Sequence, residues 1–368
     1  MATTIRRADL PGHLRGRFRH DPLMRVMNAG LSAWMWAEKF THLPVPERGE
    51  RTEFFEVEIA ERRSCAGDAS VVALAFTRPG GGELPTWFAG AHIDVRLPSG
   101  ALRQYSLCGD PQNRSRYRIA VRLLPDGRGG SAEVHERLVP GVRVWISVPR
   151  NAFPLAVGGY NQRLSHVRLI AGGIGITPIL PMLRTLHTAG VPWALFYCGR
   201  SVESTAFLDE LAQYGNQVHL HFDETDGPAS VAQLLTGLPD TDSAVYACGP
   251  APMLDSIRGA LADYPEVEFH AERFTPAAVV DGAEFELHLA RTAETITVRA
   301  DQTALDAILA VRPDATYSCR QGFCHSCAVP VLDRGPDSRS LSLNPAEGDD
   351  GLFLPCVSRV DGGLILDL

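Results

Sequence analysis

The alternation of hydrophobic and polar residues divides the C-terminal part of the chain into strands and a helix. EFELHLA (284–290) and ETITVRA (294–300) alternate with a period of two, which predicts a hairpin. TALDAILAVR (303–312) has helical spacing, and GGLILDL (362–368) predicts a closing strand. This region therefore predicts a small domain of mixed strands with one helix.

Apolar runs that end in glycine turns dominate the middle of the chain. VRLIAGGIGITPIL (167–180) predicts a buried strand, a glycine turn and a helix that begins near Pro178. SAVYACGPAPMLDSIRGAL (243–261) predicts a strand at 244–248, a turn at Gly249 and Pro250, and another helix. PWALFYCGRS (192–201) ends a further strand between them. Strand–turn–helix repeats of this kind predict an α/β domain with a parallel sheet.

The composition is that of a globular protein with several domains. The 368 residues are 45% hydrophobic and 21% charged, with a net charge of −8. We find no apolar run of the roughly 18 residues that a membrane span needs, no secretory signal and no nucleic-acid-binding motif. We therefore expect a cytoplasmic protein without a membrane span that does not bind nucleic acid.

Three of the eight cysteines fall within SCRQGFCHSC, residues 318–327. Cys319, Cys324 and Cys327 have the spacing C-x4-C-x2-C, and Cys356 follows 29 positions later. This spacing is typical of plant-type ferredoxins, in which four thiolates hold a 2Fe–2S cluster. A zinc site is the alternative, although structural zinc sites usually pair their cysteines on both sides. The sequence thus favours a 2Fe–2S cluster.

Two segments in the first half of the chain suggest a phosphate-bearing ligand. In LRQYSLCGDP (102–111), one strand offers the cation Arg103, the ring of Tyr105 and the hydroxyl of Ser106, although an ordinary half-buried strand has the same pattern. DGRGGSAEVHERL (126–138) predicts a helix start at which Gly130, a capping Ser131 and Arg128 bind an anion. R-x-Y-S resembles the flavin signature of the ferredoxin-reductase superfamily, which implies that this ligand is a flavin. Two arginines suit a terminal phosphate dianion, so they favour FMN over FAD.

The glycine turn of the middle region predicts a site for a dinucleotide. Gly172, Gly173 and Gly175 let the backbone approach a diphosphate at a helix start, although Pro178 makes the G-x-G-x-x-G fingerprint incomplete. Farther along, Arg200 and Ser201 suit a 2′-phosphate, whereas Glu203 suits a ribose hydroxyl. These residues therefore do not decide whether the nucleotide is NADH or NADPH.

These motifs together resemble the phthalate dioxygenase reductase family over about residues 51–368. The carriers of the resemblance are R-x-Y-S-L, G-R-G-G-S, A-G-G-I-G-I-T-P, C-G-P and the cysteine cluster; His325 departs from the small residue more often found there. The resemblance implies three domains, an antiparallel β-barrel for FMN, an α/β parallel-sheet nicotinamide domain and a β-grasp ferredoxin domain. We predict their boundaries, with a helical N-terminal extension and a linker, as 1–50 (extension), 51–155 (FMN), 156–275 (NAD(P)), 276–282 (linker) and 283–368 (2Fe–2S).

The resemblance also implies individual roles. Arg103 would bind the flavin phosphate, Tyr105 would lie along the flavin, and Ser106 would hydrogen-bond near its N5 atom. Thr177 and Cys248 would lie beside the nicotinamide, and Phe274 would shield the flavin ring. Purely structural roles are the alternatives: Cys248 would be a small buried residue at a strand end, and Phe274 would pack against the linker.

The implied function is that of the reductase component of an oxygenase system. Electrons would pass from NADH, with NADPH possible, through FMN and the 2Fe–2S cluster to a Rieske non-haem iron oxygenase or a cytochrome P450. The alternatives are a stand-alone NAD(P)H flavin oxidoreductase and a redox-sensing regulator. The N-terminal extension contains PLMRVMNAGLSAWMWAEKF (22–40), which predicts an amphipathic helix. This helix would pack on the flavin domain, on an oxygenase or on a membrane surface.

Overall fold

The computed structural model describes most of the chain after residue 53. The described residues are 54–125, 129–156, 166–239, 242–274, 279, 282–317, 322, 327–334, 340–341, 351–360 and 362–368. The predicted N-terminal helix, Arg128, Cys319, Cys324 and most of the predicted linker lie outside them.

An antiparallel sheet forms the first domain. Its order is β4-β3-β6-β1-β2-β5, with β7 paired to β3. The two ends of the sheet meet just after β4, where the Cys108 N–H donates to the Arg118 carbonyl (2.8 Å), so the sheet curls into the predicted barrel. The elements are β1 (Phe54–Ser64), β2 (Val71–Thr77), β3 (Ala91–Arg96), β4 (Leu102–Ser106), β5 (Tyr117–Arg122), α1 (Gly130–Arg137), β6 (Arg143–Ser147) and β7 (Arg150–Asn151).

The second domain is a five-stranded parallel sheet in the order β10-β9-β8-β11-β12. Both faces are covered, by α2 on one side and α6 on the other, which explains the uninterrupted apolar strands. Chain order reverses between β8 and β11, the point at which open α/β sheets bind ligands. The elements are β8 (His166–Gly172), α2 (Ile176–Ala189), β9 (Trp193–Gly199), α3 (Leu208–Leu211), β10 (Val218–Phe222), α4 (Asp223–Asp226), α5 (Val231–Leu234), β11 (Ser243–Cys248), α6 (Ala251–Leu261) and β12 (Val267–Glu272), with 3₁₀ turns at Gly173–Gly175 and Ala212–Gln217.

Helix α2 begins earlier than the sequence predicts. It starts at Ile176, directly after the 3₁₀ turn, rather than near Pro178. Proline is tolerated here because the first N–H groups of a helix have no intrahelical acceptor. The earlier start places Thr177 in the first turn, beside the glycines.

The barrel and the parallel sheet share one apolar core. Val71, Ala73 and Ala120 on the outside of the barrel belong to the same buried cluster as Ile179 and Leu183 of α2. The barrel has a separate interior core. The two domains are therefore packed together rather than tethered.

The third domain is a mixed sheet in the order β14-β13-β19-β15-β17. β13 pairs antiparallel with β14 and parallel with β19, and α7 packs on the sheet. This is the predicted β-grasp arrangement, and the predicted three-part fold class is confirmed. The elements are β13 (Phe285–Leu289), β14 (Glu294–Val298), α7 (Ala304–Val311), β15 (Val329–Arg334), β16 (Ser340–Leu341), β17 (Leu352–Phe353), β18 (Arg359–Val360) and β19 (Gly363–Leu366).

Candidate functional site

The end of β4 carries the predicted flavin residues. Arg103 lies against the start of α1, because a side chain at Gly130 would overlap its guanidinium. Tyr105 is half-buried against the barrel core, and burial raises its pKa to about 12. Ser106 is buried at the strand end. The strand therefore brings a cation, a ring and a hydroxyl to the N-terminus of α1, where an anion is stabilised.

Ser131 does not cap α1 as the sequence suggested. The N-cap residue is Gly129, which has φ +75° and offers no side chain. The Ser131 hydroxyl instead accepts a hydrogen bond from the Leu124 N–H (3.0 Å). Ser131 thus ties the preceding loop to the helix, and its proposed contact with a phosphate stays a prediction.

Two glycine turns interlock at the carboxyl ends of β8 and β11. A Cβ atom at Gly175 would overlap the Cys248 carbonyl, and one at Gly172 would lie 2.6 Å from Pro250 Cδ. Gly173 has φ +55°, a conformation that favours glycine. These glycines allow the two turns to approach closely, which forms a narrow backbone cradle at the switch point of the sheet.

Thr177 and Cys248 lie on either side of this cradle. Thr177 is 2% exposed, and its hydroxyl donates to the Ile174 carbonyl (3.0 Å). Cys248 ends β11 and is fully buried. Burial, with the nearby Glu272 carboxylate, raises the pKa of the Cys248 thiol well above its ordinary value. Cys248 is therefore a neutral thiol rather than a nucleophile.

Glu272 is a buried residue beside the predicted site residues Ser106 and Cys248, and the sequence analysis missed it. It ends β12, pairs in register with Cys248 and accepts a hydrogen bond from Ser106 of the barrel. Burial raises the pKa of Glu272 to about 8, against the lowering effect of the Ser106 bond. Its Oε2 atom is buried without a hydrogen-bond partner among the described residues. Glu272 thus joins the end of β4 in the barrel to the end of β11 in the parallel sheet.

Phe274 follows two residues after Glu272. Its side chain is 48% exposed, unusual for a large aromatic residue so close to a buried junction. A ligand ring could cover it, and this is the role the sequence predicted. That role stays a prediction.

Arg200 and Ser201 lie just past the end of β9. Arg200 pairs with Glu224 (2.9 Å), which follows β10, and both side chains are largely exposed. Ser201 is engaged locally, because its hydroxyl bonds to Ser204 (3.2 Å). Glu203 contributes a backbone carbonyl to the Asp68 N–H of the barrel (3.0 Å). The cation that could select a 2′-phosphate therefore has an acidic partner.

Two of the four predicted cluster cysteines are in the described part of the chain. Cys327 and Cys356 are buried, and their sulfurs lie 3.4 Å apart. Thiolates on one tetrahedral metal with bonds of about 2.3 Å are about 3.8 Å apart, so the pair fits ligation of one iron. Gly322 has φ +87° and packs against Val357, one residue beyond Cys356. The described residues Gly322, Cys327 and Cys356 thus suit a cluster site.

The described helices include none that is long and apolar enough to span a membrane.

Comparison with protein families identifies two of the three domains. Residues 287–361 match the 2Fe-2S iron-sulfur cluster binding domain, and residues 169–259 match the oxidoreductase NAD-binding domain. The predicted 2Fe–2S and nicotinamide cofactors are confirmed, and the zinc alternative is wrong.

Whole-chain relatives extend this match to the barrel. The chain is 38% identical to the vanillate O-demethylase oxidoreductase of Pseudomonas sp. (strain HR199 / DSM 7063), covering 85% of this chain and 99% of that protein. A solved phthalate dioxygenase reductase, described as a modular structure for electron transfer from pyridine nucleotides to [2Fe-2S], matches with TM-score 0.65 and 32% identity over 86% of this chain and 98% of its own. An intact type IV self-sufficient cytochrome P450 monooxygenase matches with TM-score 0.65 and 34% identity over 86% of this chain and 41% of its own.

The first two relatives are, by name, an oxidoreductase and a reductase of oxygenase systems, and this chain covers nearly their whole length. The cytochrome P450 monooxygenase is matched over less than half of its own length. The predicted enzyme class and overall function are therefore confirmed. The chain belongs to the phthalate dioxygenase reductase family.

Proposed function

We propose that this protein passes electrons from NADH through FMN to its 2Fe–2S cluster and on to a terminal oxygenase. The observation that carries the proposal is the junction of Ser106, Glu272 and Cys248. It joins the end of the flavin strand to the nicotinamide turn in a chain that also carries the cluster cysteines. A cytoplasmic location is part of this proposal.

The chemistry of the transfer belongs to the bound groups. When bound, the nicotinamide supplies two electrons together, the flavin exchanges them in pairs or singly, and the cluster accepts one at a time. The protein must hold these groups in line and keep water out.

The barrel residues would bind and orient the flavin. Arg103 and the first amides of α1 would hold its phosphate, because a guanidinium and a helix N-terminus both stabilise an anion. Ser106 would present its hydroxyl to the flavin ring. Arg128, which lies outside the described residues, would add the second guanidinium that favours FMN over FAD.

The residues of the parallel sheet would orient the nicotinamide. The Gly172–Gly175 turn would bind the diphosphate at the start of α2. Thr177 and Cys248 are buried on either side of the turn, where they would exclude water from the ring. Glu272 would hold a proton on its carboxyl group near neutral pH, because its pKa is raised to about 8. A neutral acid can donate a hydrogen bond without placing a buried negative charge beside the reacting rings.

The ion pair at the end of β9 favours NADH over NADPH. Glu224 neutralises Arg200 and would repel a 2′-phosphate, whereas a ribose hydroxyl carries no charge to repel. We therefore place NADH as the reductant.

The experiment that tests the function couples the purified full-length chain to an oxygenase. A Rieske oxygenase and a cytochrome P450 are each mixed with it, and NADH consumption and hydroxylated or demethylated product are measured together. Product that matches the NADH consumed is expected with one of them, and the Cys356→Ser variant should give none.

Two other results would contradict the proposal. NADH consumption that yields only hydrogen peroxide with every oxygenase would indicate a stand-alone flavin oxidoreductase. Failure to reduce cytochrome c, an artificial one-electron acceptor, in sustained turnover would indicate a sensor rather than a reductase.

A further inference from the structure

Three arginines converge on one carboxylate at the boundary between the barrel and the parallel sheet. Arg118 of β5 donates to both oxygens of Glu210 (2.6 and 2.9 Å), and Arg184 of α2 donates to Oε2 (2.6 Å). Arg63 of β1 also donates to Glu210. Two of the arginines come from the barrel, whereas Arg184 and Glu210 come from the nucleotide domain. We call these four residues the Glu210 clamp.

The clamp is only partly open to water. The Glu210 side chain is 17% exposed, and those of Arg118 and Arg184 are 18% and 25% exposed. Burial alone would raise the pKa of Glu210, but its hydrogen bonds to Arg118 and the charges of the three arginines lower it. Glu210 is therefore ionised at neutral pH. Removing its charge would leave several guanidinium groups without their counter-ion in a half-buried site, which is costly.

Arg184 also reaches the backbone that follows the flavin strand. Its Nη1 donates to the carbonyls of Cys108 (3.0 Å) and Gly109 (2.9 Å). Arg118 donates to the same Cys108 carbonyl (2.8 Å). Cys108 lies two residues after Ser106, so the clamp fixes the chain at the exit of the flavin strand.

The other end of the connection is the nicotinamide turn. Arg184 lies seven residues after Thr177 on the same helix, which corresponds to about 10 Å along its axis. Helix α2 thus has the nicotinamide turn at its start and the clamp two turns later. A rotation or slide of this helix on the barrel would change the distance between the two cofactor sites.

The apolar core beneath the clamp cannot set this distance by itself. Small side chains such as Ala73 and Ala120 belong to the buried cluster that also contains the apolar residues of α2, and apolar contacts are not directional. The paired hydrogen bonds between Arg118 and Glu210 have a fixed planar geometry, and Arg184 adds a second direction. Other directional bonds join the two domains near β9, from the Asp68 N–H to the Glu203 carbonyl (3.0 Å) and from the Phe207 N–H to the Cys65 carbonyl (2.9 Å). The clamp adds directional bonds to α2 itself.

We propose that Glu210 and Arg184 are positioning residues that set the placement of the nicotinamide relative to the flavin. This inference rests on the proposed function. It predicts that loosening the clamp slows electron transfer from NADH to the flavin more than it weakens nucleotide binding.

The test compares full-length holoprotein variants. Glu210→Gln removes the charge, and Arg184→Met releases the Cys108 and Gly109 carbonyls while leaving Arg63 and Arg118 on Glu210. Glu210→Asp keeps the charge and should recover part of the function. Glu61→Gln is the matched control, because Glu61 forms an exposed ion pair with Arg116 (3.4 Å) within the barrel domain. It lines a surface cavity that Arg63, Arg118 and Arg184 also line.

The first readout is the long-wavelength charge-transfer absorption that NAD⁺ produces on the anaerobically reduced protein, because it requires the two rings to stack. The second readout compares how far each variant changes the NAD⁺ dissociation constant with how far it changes the rate of flavin reduction at saturating NADH. We expect Glu210→Gln and Arg184→Met to weaken the absorption and slow flavin reduction roughly 10- to 100-fold, with little change in the dissociation constant. Glu61→Gln should behave like the unmodified protein.

Unchanged absorption and flavin reduction in folded, flavin-loaded Glu210→Gln or Arg184→Met would overturn the proposal, even if their melting temperatures fell. The clamp would then only hold the domains together. If Glu210→Gln does not fold, Arg184→Met decides alone. Failure of NADH to reduce the flavin of the unmodified protein is a different result, and it would overturn the proposed function together with the clamp.

Discussion

At the scale of single residues, Glu272 shows what the sequence could and could not predict. Ser106 could be selected because it ends a predicted strand that also offers a cation and a ring, whereas Thr177 and Cys248 were selected because their glycine-turn motifs resemble those of the family. Glu272 stands in HAERF without such a sign, and its contact with Ser106 joins residues 166 positions apart. A contact between two domains leaves no periodicity in either segment, so only the structure shows it.

The raised pKa of Glu272 makes the stability of the protein depend on pH. The folded protein holds this proton up to about pH 8, whereas an unfolded chain releases it near the ordinary value of 4.5. The folded state thus binds more protons between these values, and the free energy of unfolding should fall as pH rises from about 4.5 to about 8. The expected contribution is up to about 1.4 kcal/mol per pH unit.

Denaturant unfolding of Glu272→Gln at several pH values tests this. The variant should lose that part of the slope and should be more stable than the unmodified protein at pH 8. Glu266→Gln, an exposed residue just before β12, is the control and should keep the slope. A slope unchanged in Glu272→Gln would show that Glu272 ionises normally.

At the scale of elements, the sequence predicted most of what lies near the sites. The hairpin of β13 and β14, helix α7, and the strand–turn–helix units around Gly172 and Gly249 follow from local period and turn chemistry, and the structure contains all of them. The predicted start of α2, near Pro178, lies two residues after the observed start at Ile176, because proline is accepted within a first turn. The predicted N-cap of α1, Ser131, was wrong, because Gly129 occupies the N-cap position.

The interlocked turns make a sharp prediction about Gly175. In Gly175→Ala the new methyl group would overlap the Cys248 carbonyl, so one turn must shift. We expect NAD⁺ affinity, measured by calorimetry, to fall at least about 10-fold, since one lost hydrogen bond to a charged group costs about 1.5–3 kcal/mol. Gly259→Ala on α6, which has nothing within 4 Å, is the control. Equal NAD⁺ affinity in both variants would contradict the prediction that the interlocked turns bind the nucleotide.

The ion pair beyond β9 predicts how nucleotide preference can be changed. Glu224→Gln leaves Arg200 without its carboxylate partner, so a 2′-phosphate should bind better. We expect kcat/KM for NADPH to rise roughly 5- to 30-fold, equivalent to about 1–2 kcal/mol, with a smaller change for NADH. Glu268→Gln on β12 is a control on another edge of the sheet. An unchanged preference would place the adenosine ribose elsewhere.

At the scale of the whole molecule, the order of domains could be predicted, but the contact between the first two could not. Each domain contains a local motif that predicts it: R-x-Y-S in the barrel, the glycine turns in the parallel-sheet domain and the cysteine spacing in the ferredoxin domain. The surfaces that join the barrel and the parallel sheet consist of apolar residues, small ones such as Ala73 and large ones such as Phe207, and of charged residues such as Glu210. No local motif marks any of them. Their meaning depends on which residues they meet after folding.

The proposed relay passes electrons from NADH through a flavin to the cluster. The most direct measurement is an anaerobic titration of the purified protein with NADH, followed by its visible spectrum, with the flavin then released by heat and identified. We expect flavin and cluster to be reduced together and the flavin to be FMN, whereas Cys356→Ser should show flavin reduction alone. A flavin that bleaches while the cluster of the unmodified protein stays oxidised would contradict the account.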